Sequence, residues 1–215
     1  MEKREVFNRM VSEGLIPVIR VASAAEAIDV ADAIKEGGVT VIEITMSVPG
    51  ALDTIKELTK KYKDDIIMGA GTILDPETGR AALLAGAQFL VTPTLNLELI
   101  QLAHRYSAVI VPGAMTPTEI LTAWNAGADM VKVFPAAQLG GPEYIKALRG
   151  PLPQIHYVPT GGVNLQNAGA FIKAGATALG AGGELVDKKA VKEKKFNVIT
   201  ENTRAFLKAI KEARG

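Results

Sequence analysis

The chain has 215 residues, 48% of them hydrophobic, and its 24 basic and 23 acidic side chains leave a net charge of +1. That length suffices for one domain with a large core, and the balanced charge gives no reason to expect a nucleic acid or a membrane surface as partner. Cysteine is absent, which removes disulfides and thiol chemistry, and the two histidines, His104 and His156, have no ligand-spaced neighbours, so no metal site is expected.

The chain opens on MEKREVFNRMVSEG, a charged amphipathic helix without the apolar centre of a signal peptide. No apolar run approaches the roughly 18 residues of a membrane span. A soluble, cytoplasmic protein is the expectation. Then comes IPVIRV (16–21), followed by the helical AAEAIDVADAIKEG, and VTVIEIT (39–45), followed by GALDTIKELTKKY. DIIMGAG (65–71) precedes PETGRAALLAG, AQFLVT (87–92) precedes LELIQLAHRY, and AVIVPG (108–113) precedes TPTEILTAWNAG. DMVKVF (129–134) leads into GPEYIKALRG, IHYVPT (155–160) into LQNAGAFIKAG, and ATALGAG (176–182) into a last helix over about 195–213. The apolar runs are rich in Val and Ile and nearly continuous rather than alternating, the pattern of parallel strands covered on both faces. EGGVT, LAGAQF, NAGADM and KAGATA each put a glycine where a helix ends and a strand begins, the position that favours a left-handed residue.

Eight strands alternating with helices predict a (β/α)₈ TIM barrel, α/β in class, with an N-terminal capping helix and a C-terminal helix closing the ring. Residues 1–215 form a single domain in this reading, since no stretch has the composition of a linker. An open doubly wound sheet is the competing architecture. It is disfavoured by the strand count and by the lack of a G-x-G-x-x-G turn after the first strand.

In a barrel the functional groups stand at the C-terminal ends of the strands. Those ends offer three ionisable residues: Arg20, Glu43 and Lys132. A charge inside a barrel strand is costly unless paired or used. A purely structural Lys132–Glu43 pair is one reading, although such pairs seldom repay their desolvation. The sharper reading is a lysine whose amine is partly neutral, and therefore nucleophilic, through burial. Glu43 would then move protons for Schiff-base chemistry on a carbonyl substrate. Arg20 is either a partner of Glu43 or a clamp for a substrate carboxylate. PTGGVN and GAGGE place Gly161–Gly162 and Gly182–Gly183 in the loops after the seventh and eighth strands, where barrels commonly hold phosphate on backbone N–H groups. Tight turns alone are the competing reading of those glycines.

Several segments in fixed order, GGVTVIEITMSVPGA, GAGTI, VPGAMTPTE, VKVFPA, YVPTGGVN and AGGELV, resemble the class I 2-keto-3-deoxy-6-phosphogluconate (KDPG) aldolases, also known as 4-hydroxy-2-oxoglutarate (KHG) aldolases. The resemblance runs nearly end to end. It implies a (β/α)₈ barrel, a homotrimer, and metal-independent cleavage of a keto acid to pyruvate and an aldehyde, with no cofactor beyond a covalent Schiff base. On this chain it implies Lys132 as the Schiff-base lysine and Glu43 as the general acid/base. Thr72 would hold the pyruvyl carboxylate, and Thr160, Gly161 and Gly162, with Gly182 and Gly183, the phosphate. Thr45, Ser47, Pro93 and Phe134 complete the expected substrate-binding set. The chain departs from the family pattern at Ser47, where many members carry arginine, and at Gly183, where many carry serine. A related enzyme acting on an unphosphorylated or differently configured keto acid, and a non-catalytic phosphate-binding trimer, remain as alternatives.

Overall fold

A computed structural model describes residues 1–215. The first helix, α1 (Lys3–Glu13), ends at Gly14, whose φ of 71° closes the helix in the left-handed region. The strands that follow are β1 (Leu15–Ile19), β2 (Val41–Thr45), β3 (Ile67–Gly71), β4 (Phe89–Val91) and β5 (Val109–Val111). Next come β6 (Gly113–Ala114), β7 (Val131–Val133), β8 (Tyr157–Pro159) and β9 (Leu179–Ala181). Between them lie α2 (Ala24–Glu36), α3 (Ala51–Tyr62), α4 (Pro76–Ala85), α5 (Leu97–Arg105), α6 (Pro117–Asn125), α7 (Gly141–Arg149) and α8 (Leu165–Lys173). A five-residue helix α9 (Lys188–Lys192) and the long α10 (Phe196–Arg214) finish the chain.

The strand–helix alternation expected from the apolar runs is present, with two differences. The fifth run is divided into β5 and β6 at Pro112, because a proline has no N–H to continue the ladder. The turn α9, inside a charged run with no apolar periodicity of its own, was not expected.

Every strand pairing is parallel, in a six-stranded sheet ordered β5-β4-β3-β2-β1-β9 and a three-stranded sheet ordered β6-β7-β8. Main-chain bonds link the two sheets on both sides. A parallel bridge joins Thr160 to Gly180, and the Asp129 amide, just before β7, donates to the Ile110 carbonyl of β5 at 3.2 Å. This is a curled α/β arrangement with helices around a parallel sheet.

The core has two parts. The larger fills the space between strands and helices, with residues such as Ile34, Ile55, Leu99, Ile145 and Phe206 fully or almost fully buried. The smaller lies inside the curl. There Ile16, Val41, Ile67, Phe89, Val109, Met130, Val158 and Ala178, drawn from all around the sheet, meet Val6 and Met10 of α1. The amphipathic first helix is thus a cap over the interior, as its pattern predicts. Gly69 makes room for the Phe89 ring, which occupies the space a Cβ would need.

Glu13, at the end of α1, fastens this cap. Its carboxylate accepts hydrogen bonds from the Thr40 amide at 2.8 Å, the Thr40 hydroxyl at 2.7 Å and the Val41 amide at 3.1 Å. Replacing Glu13 with alanine strands these donors at the entrance to β2. A loss of about 2–4 kcal/mol of unfolding free energy is expected, measured as a shift in the urea midpoint, with circular dichroism reporting an otherwise native fold.

Candidate active site

A cavity of about 500 Å³ opens at the C-terminal ends of the strands. Arg20 follows β1, Thr72 follows β3 and Pro93 follows β4 on its wall. Lys132 and Phe134 come from β7 and its exit, Thr160, Gly161 and Gly162 from the loop after β8, and Gly182 and Gly183 from the loop after β9. A larger depression of about 650 Å³ lies among α1, α8 and α10. Its Arg214 is already engaged with the carbonyls of Ser12, Val11 and Thr177, and it contains no buried ionisable group.

Lys132 is 6% exposed and Glu43 3% exposed, and they are the only charged residues buried in the chain. Strand register sets their places: Lys132 lies opposite Gly113 and Val158, Glu43 opposite Val18 and Gly69. Burial pushes the Lys132 pKa below its usual value, the negative charge of Glu43 opposes that shift, and the positive charge of Arg20 reinforces it. Burial pushes the Glu43 pKa up, with Lys132 and then Arg20 pulling it back. No ion pair within 4.0 Å includes either residue. Glu43 Oε1 has no hydrogen-bond partner, and its carboxylate fills the space beside Gly71 where a Cβ would collide. The Lys132 amine stands 5.0 Å from the centre of the Phe134 ring, close enough for a cation–π attraction when protonated.

The tight structural Lys–Glu ion pair considered from the sequence is therefore not formed. The two groups sense each other's charge across the interior while each keeps free hydrogen-bonding capacity. That leaves a partly neutral amine and a carboxyl group that retains protons unusually well, both fixed on strands. Such a pair suits nucleophilic attack coupled to proton transfer.

Arg20 is not bound to Glu43 either. Its guanidinium donates to the Thr72 hydroxyl at 3.2 Å. Thr72 has φ 58°, a left-handed conformation that costs a β-branched residue of the order of 1–2 kcal/mol. The backbone at the end of GAGT thereby aims this hydroxyl at Arg20.

Three expected residues lie off the cavity wall: Glu43, buried behind it, and Thr45 and Ser47 at the end of β2. The Thr45 hydroxyl donates to the Ile19 carbonyl at 3.1 Å and meets Ser47 Oγ at 2.8 Å, a clasp that holds the end of β2 against β1. With Ser47 short and tied to Thr45, neither side chain reaches the cavity. Conversely, Gly180, Glu184 and Lys188 line it and were not anticipated. The sequence signal for them was proximity to the GAGG loop, within a charged stretch that reads as ordinary surface.

Around the two glycine loops the main chain presents unused donors. The N–H groups of Gly161, Gly162, Val163, Gly183 and Glu184 donate to no protein acceptor. Gly161 and Gly162 have φ of 88° and 74°, which glycine adopts without strain. A Cβ at Gly162 would also strike Ala137, whereas Gly183 has open space around it. Convergent free amides of this kind suit an anion.

Comparisons with known proteins agree with this geometry. The family described as KDPG and KHG aldolase matches residues 6–202. The chain is 38% identical over 177 residues to the 2-dehydro-3-deoxy-phosphogluconate aldolase of Pseudomonas aeruginosa, spanning 82% of this chain and 80% of that one. It is 35% identical over 200 residues to the 2-dehydro-3-deoxy-6-phosphogalactonate aldolase of Escherichia coli, spanning 93% and 95%. A structure of the KDPG aldolase from Legionella pneumophila, with pyruvate captured at low pH as a covalent carbinolamine intermediate, superposes with a TM-score of 0.85 at 29% identity, covering 96% of this chain and 98% of that one. On the extent of the family match and the identity to curated aldolases over most of both lengths, this chain belongs to the KDPG and KHG aldolase family.

Proposed function

We propose that the protein is a Schiff-base aldolase that cleaves KDPG to pyruvate and glyceraldehyde 3-phosphate, and KHG to pyruvate and glyoxylate. The observation that carries this reading is the buried Lys132 amine on the cavity wall, its pKa lowered by desolvation, with the buried Glu43 carboxylate behind that wall close enough for each to feel the other's charge. Lys132 Nζ adds to the C2 carbonyl of the substrate, and the carbinolamine loses water to give an iminium. Glu43 accepts the proton of the C4 hydroxyl as the C3–C4 bond breaks, and the electron pair of that bond passes into the iminium to form an enamine. The aldehyde departs. The enamine takes a proton at C3, and water releases pyruvate and restores the amine. Arg20 and Thr72 are placed to hold the substrate carboxylate, and the free amides of the glycine loops to hold the phosphate. Pro93 and Phe134 form apolar walls, and Thr160 steadies the loop after β8 through its bond to the Val158 carbonyl at 3.3 Å. The chemistry needs no metal or dissociable cofactor.

The same reading takes residues 1–215 as one domain and the curled sheet as a closed eight-stranded TIM barrel, with β5 and β6 serving as one strand. It is supported by the main-chain bonds on both sides of the three-stranded sheet and by the single interior cluster beneath α1. A homotrimer is the assembly that the family resemblance implies, and we take the cytoplasm as the setting. No helix is long and apolar enough to cross a membrane.

A second reading concerns the substrate. Ser47 lies off the cavity and Gly183 offers no side chain, and one relative carries the name of a phosphogalactonate aldolase. These favour a keto acid of different C4 configuration, or one without phosphate, as the alternative. A non-catalytic ligand-binding barrel would leave two desolvated ionisable groups without use.

Three measurements check these assignments. Pyruvate with borohydride should leave one reduced three-carbon adduct, mapped to Lys132 by peptide mass analysis, with Lys146, Lys173, Lys188 and Lys189 unmodified. An adduct on any of those four with Lys132 clean would remove the mechanism.

The rate of pyruvate adduct formation should rise with pH through a midpoint below the usual lysine value of 10.5, because burial favours the neutral amine. Glu43→Gln removes the negative charge that opposes this shift, so the midpoint should move lower still. Movement upward would contradict the assigned electrostatics.

Phosphorylated KDPG should exceed its unphosphorylated counterpart in kcat/KM by roughly 10²-fold, the few kcal/mol that charge-assisted hydrogen bonds supply. Gly183→Asp, at a position with room for a side chain, should erase most of that preference by like-charge repulsion. Equal rates on the two substrates in the parent enzyme would hand the lead to the second reading.

A further inference from the structure

Beside the main cavity lies a smaller one of about 310 Å³, and the two share Arg20, Val186 and Lys188 on their common wall. Lys188 makes no ion pair and no hydrogen bond, whereas Lys35, Lys61 and Lys195 are each matched to a carboxylate. Its neighbour Asp187 is occupied as the cap of α9, accepting from the Ala190 amide at 2.6 Å. Glu26, across the smaller cavity, accepts from the Ala22 amide at 2.9 Å. The main chain that carries Lys188 is anchored: Leu185, Val186, Ala190 and Val191 are buried, and the Leu185 and Val186 amides both donate to the Gly182 carbonyl. Lys188 is therefore an exposed, unmatched cation on a fixed base, turned toward the same space as the free amides of the glycine loops.

We propose that Lys188 is a specificity-determining residue that supplies the positive charge for the distal anionic group of the substrate. The free amides around Gly161 to Val163 and around Gly183 and Glu184 are dipoles and carry no net charge to set against a phosphate dianion. Arg20, on the same wall, is already engaged with the Thr72 hydroxyl. Lys132 has to be uncharged when it attacks, and its burial favours that state. Glu184 is the one exposed carboxylate on this wall, so Lys188 also offsets its repulsion of an incoming anion. With Gly183 contributing no side chain, Lys188 is the residue by which this segment distinguishes a terminally charged keto acid from an uncharged one.

The inference rests on the anion site proposed above, and its test separates the two. kcat and KM would be measured for KDPG and for unphosphorylated 2-keto-3-deoxygluconate in the parent enzyme, Lys188→Ala, Lys188→Arg and Lys189→Ala. Lys188→Ala should lower kcat/KM for KDPG about tenfold or more, mainly through KM, and leave the unphosphorylated substrate within about twofold. Lys188→Arg should restore most of the loss, and Lys189→Ala should match the parent. Added salt should weaken KDPG binding in the parent more steeply than in Lys188→Ala. Circular dichroism should show the same melting temperature for Lys188→Ala and the parent. An equal fall on both substrates, or a lowered melting temperature with it, would mean a structural role and overturn the proposal. If the parent prefers KDPG and Lys188→Ala keeps that preference in full, the loop amides alone hold the anion and the proposal fails. A parent without any preference would overturn the anion site and this inference together, while the pyruvate adduct on Lys132 would be unaffected.

Discussion

On a three-residue strand inside the curl of the sheet, the Lys132 ammonium has been taken out of water, and its positive charge is correspondingly disfavoured. A lysine on the protein surface would be almost wholly protonated near neutrality and inert as a nucleophile. Burial alone would overshoot, since an isolated buried cation is costly and its site would reject any charged intermediate. Glu43 tempers the shift from across the interior without closing to an ion pair. The separation matters chemically. A contact pair would occupy the lone pair and the protons on which addition to a carbonyl depends.

Holding two such groups requires a rigid frame, and the two-part core provides it. Beneath the site, apolar side chains from all around the sheet pack with Phe89 over Gly69, and α1 seals the end with Val6 and Met10. Above them the strand ends turn polar. The position of Glu43 depends on a residue without a side chain, Gly71, because any Cβ there would displace the carboxylate. Glycine thus acts at the site by leaving space. Strain appears where aim is needed, at Thr72, whose left-handed backbone directs a hydroxyl to Arg20.

The loops divide the remaining work. Those after β1, β3 and β4 bring Arg20, Thr72 and Pro93 to the cavity wall that Lys132 shares. Those after β8 and β9 present amides that the protein leaves unpaired. Thr45 and Ser47, at the end of β2, are spent on each other and on the Ile19 carbonyl, so that edge of the site is structural.

Much of this was legible in the sequence by itself. Continuous Val- and Ile-rich runs, helix-closing glycines and an amphipathic first helix determined parallel strands, the helices between them and the cap, because each rests on local periodicity and backbone preference. Lys132 and Glu43 stood out for the same reason: a charge within an apolar strand has few bland explanations. What only the tertiary structure decided were relations between segments far apart in the chain. The Arg20–Thr72 bond spans 52 positions, and nothing local to either residue encodes it. The ladder break at Pro112, the diversion of Thr45 and Ser47 from the cavity, and the place of Lys188 on the wall between two cavities depend likewise on how neighbouring strands and loops meet. Periodicity tells which face of an element is buried. Whether a polar group at its end meets a partner or open space is settled only when the elements pack.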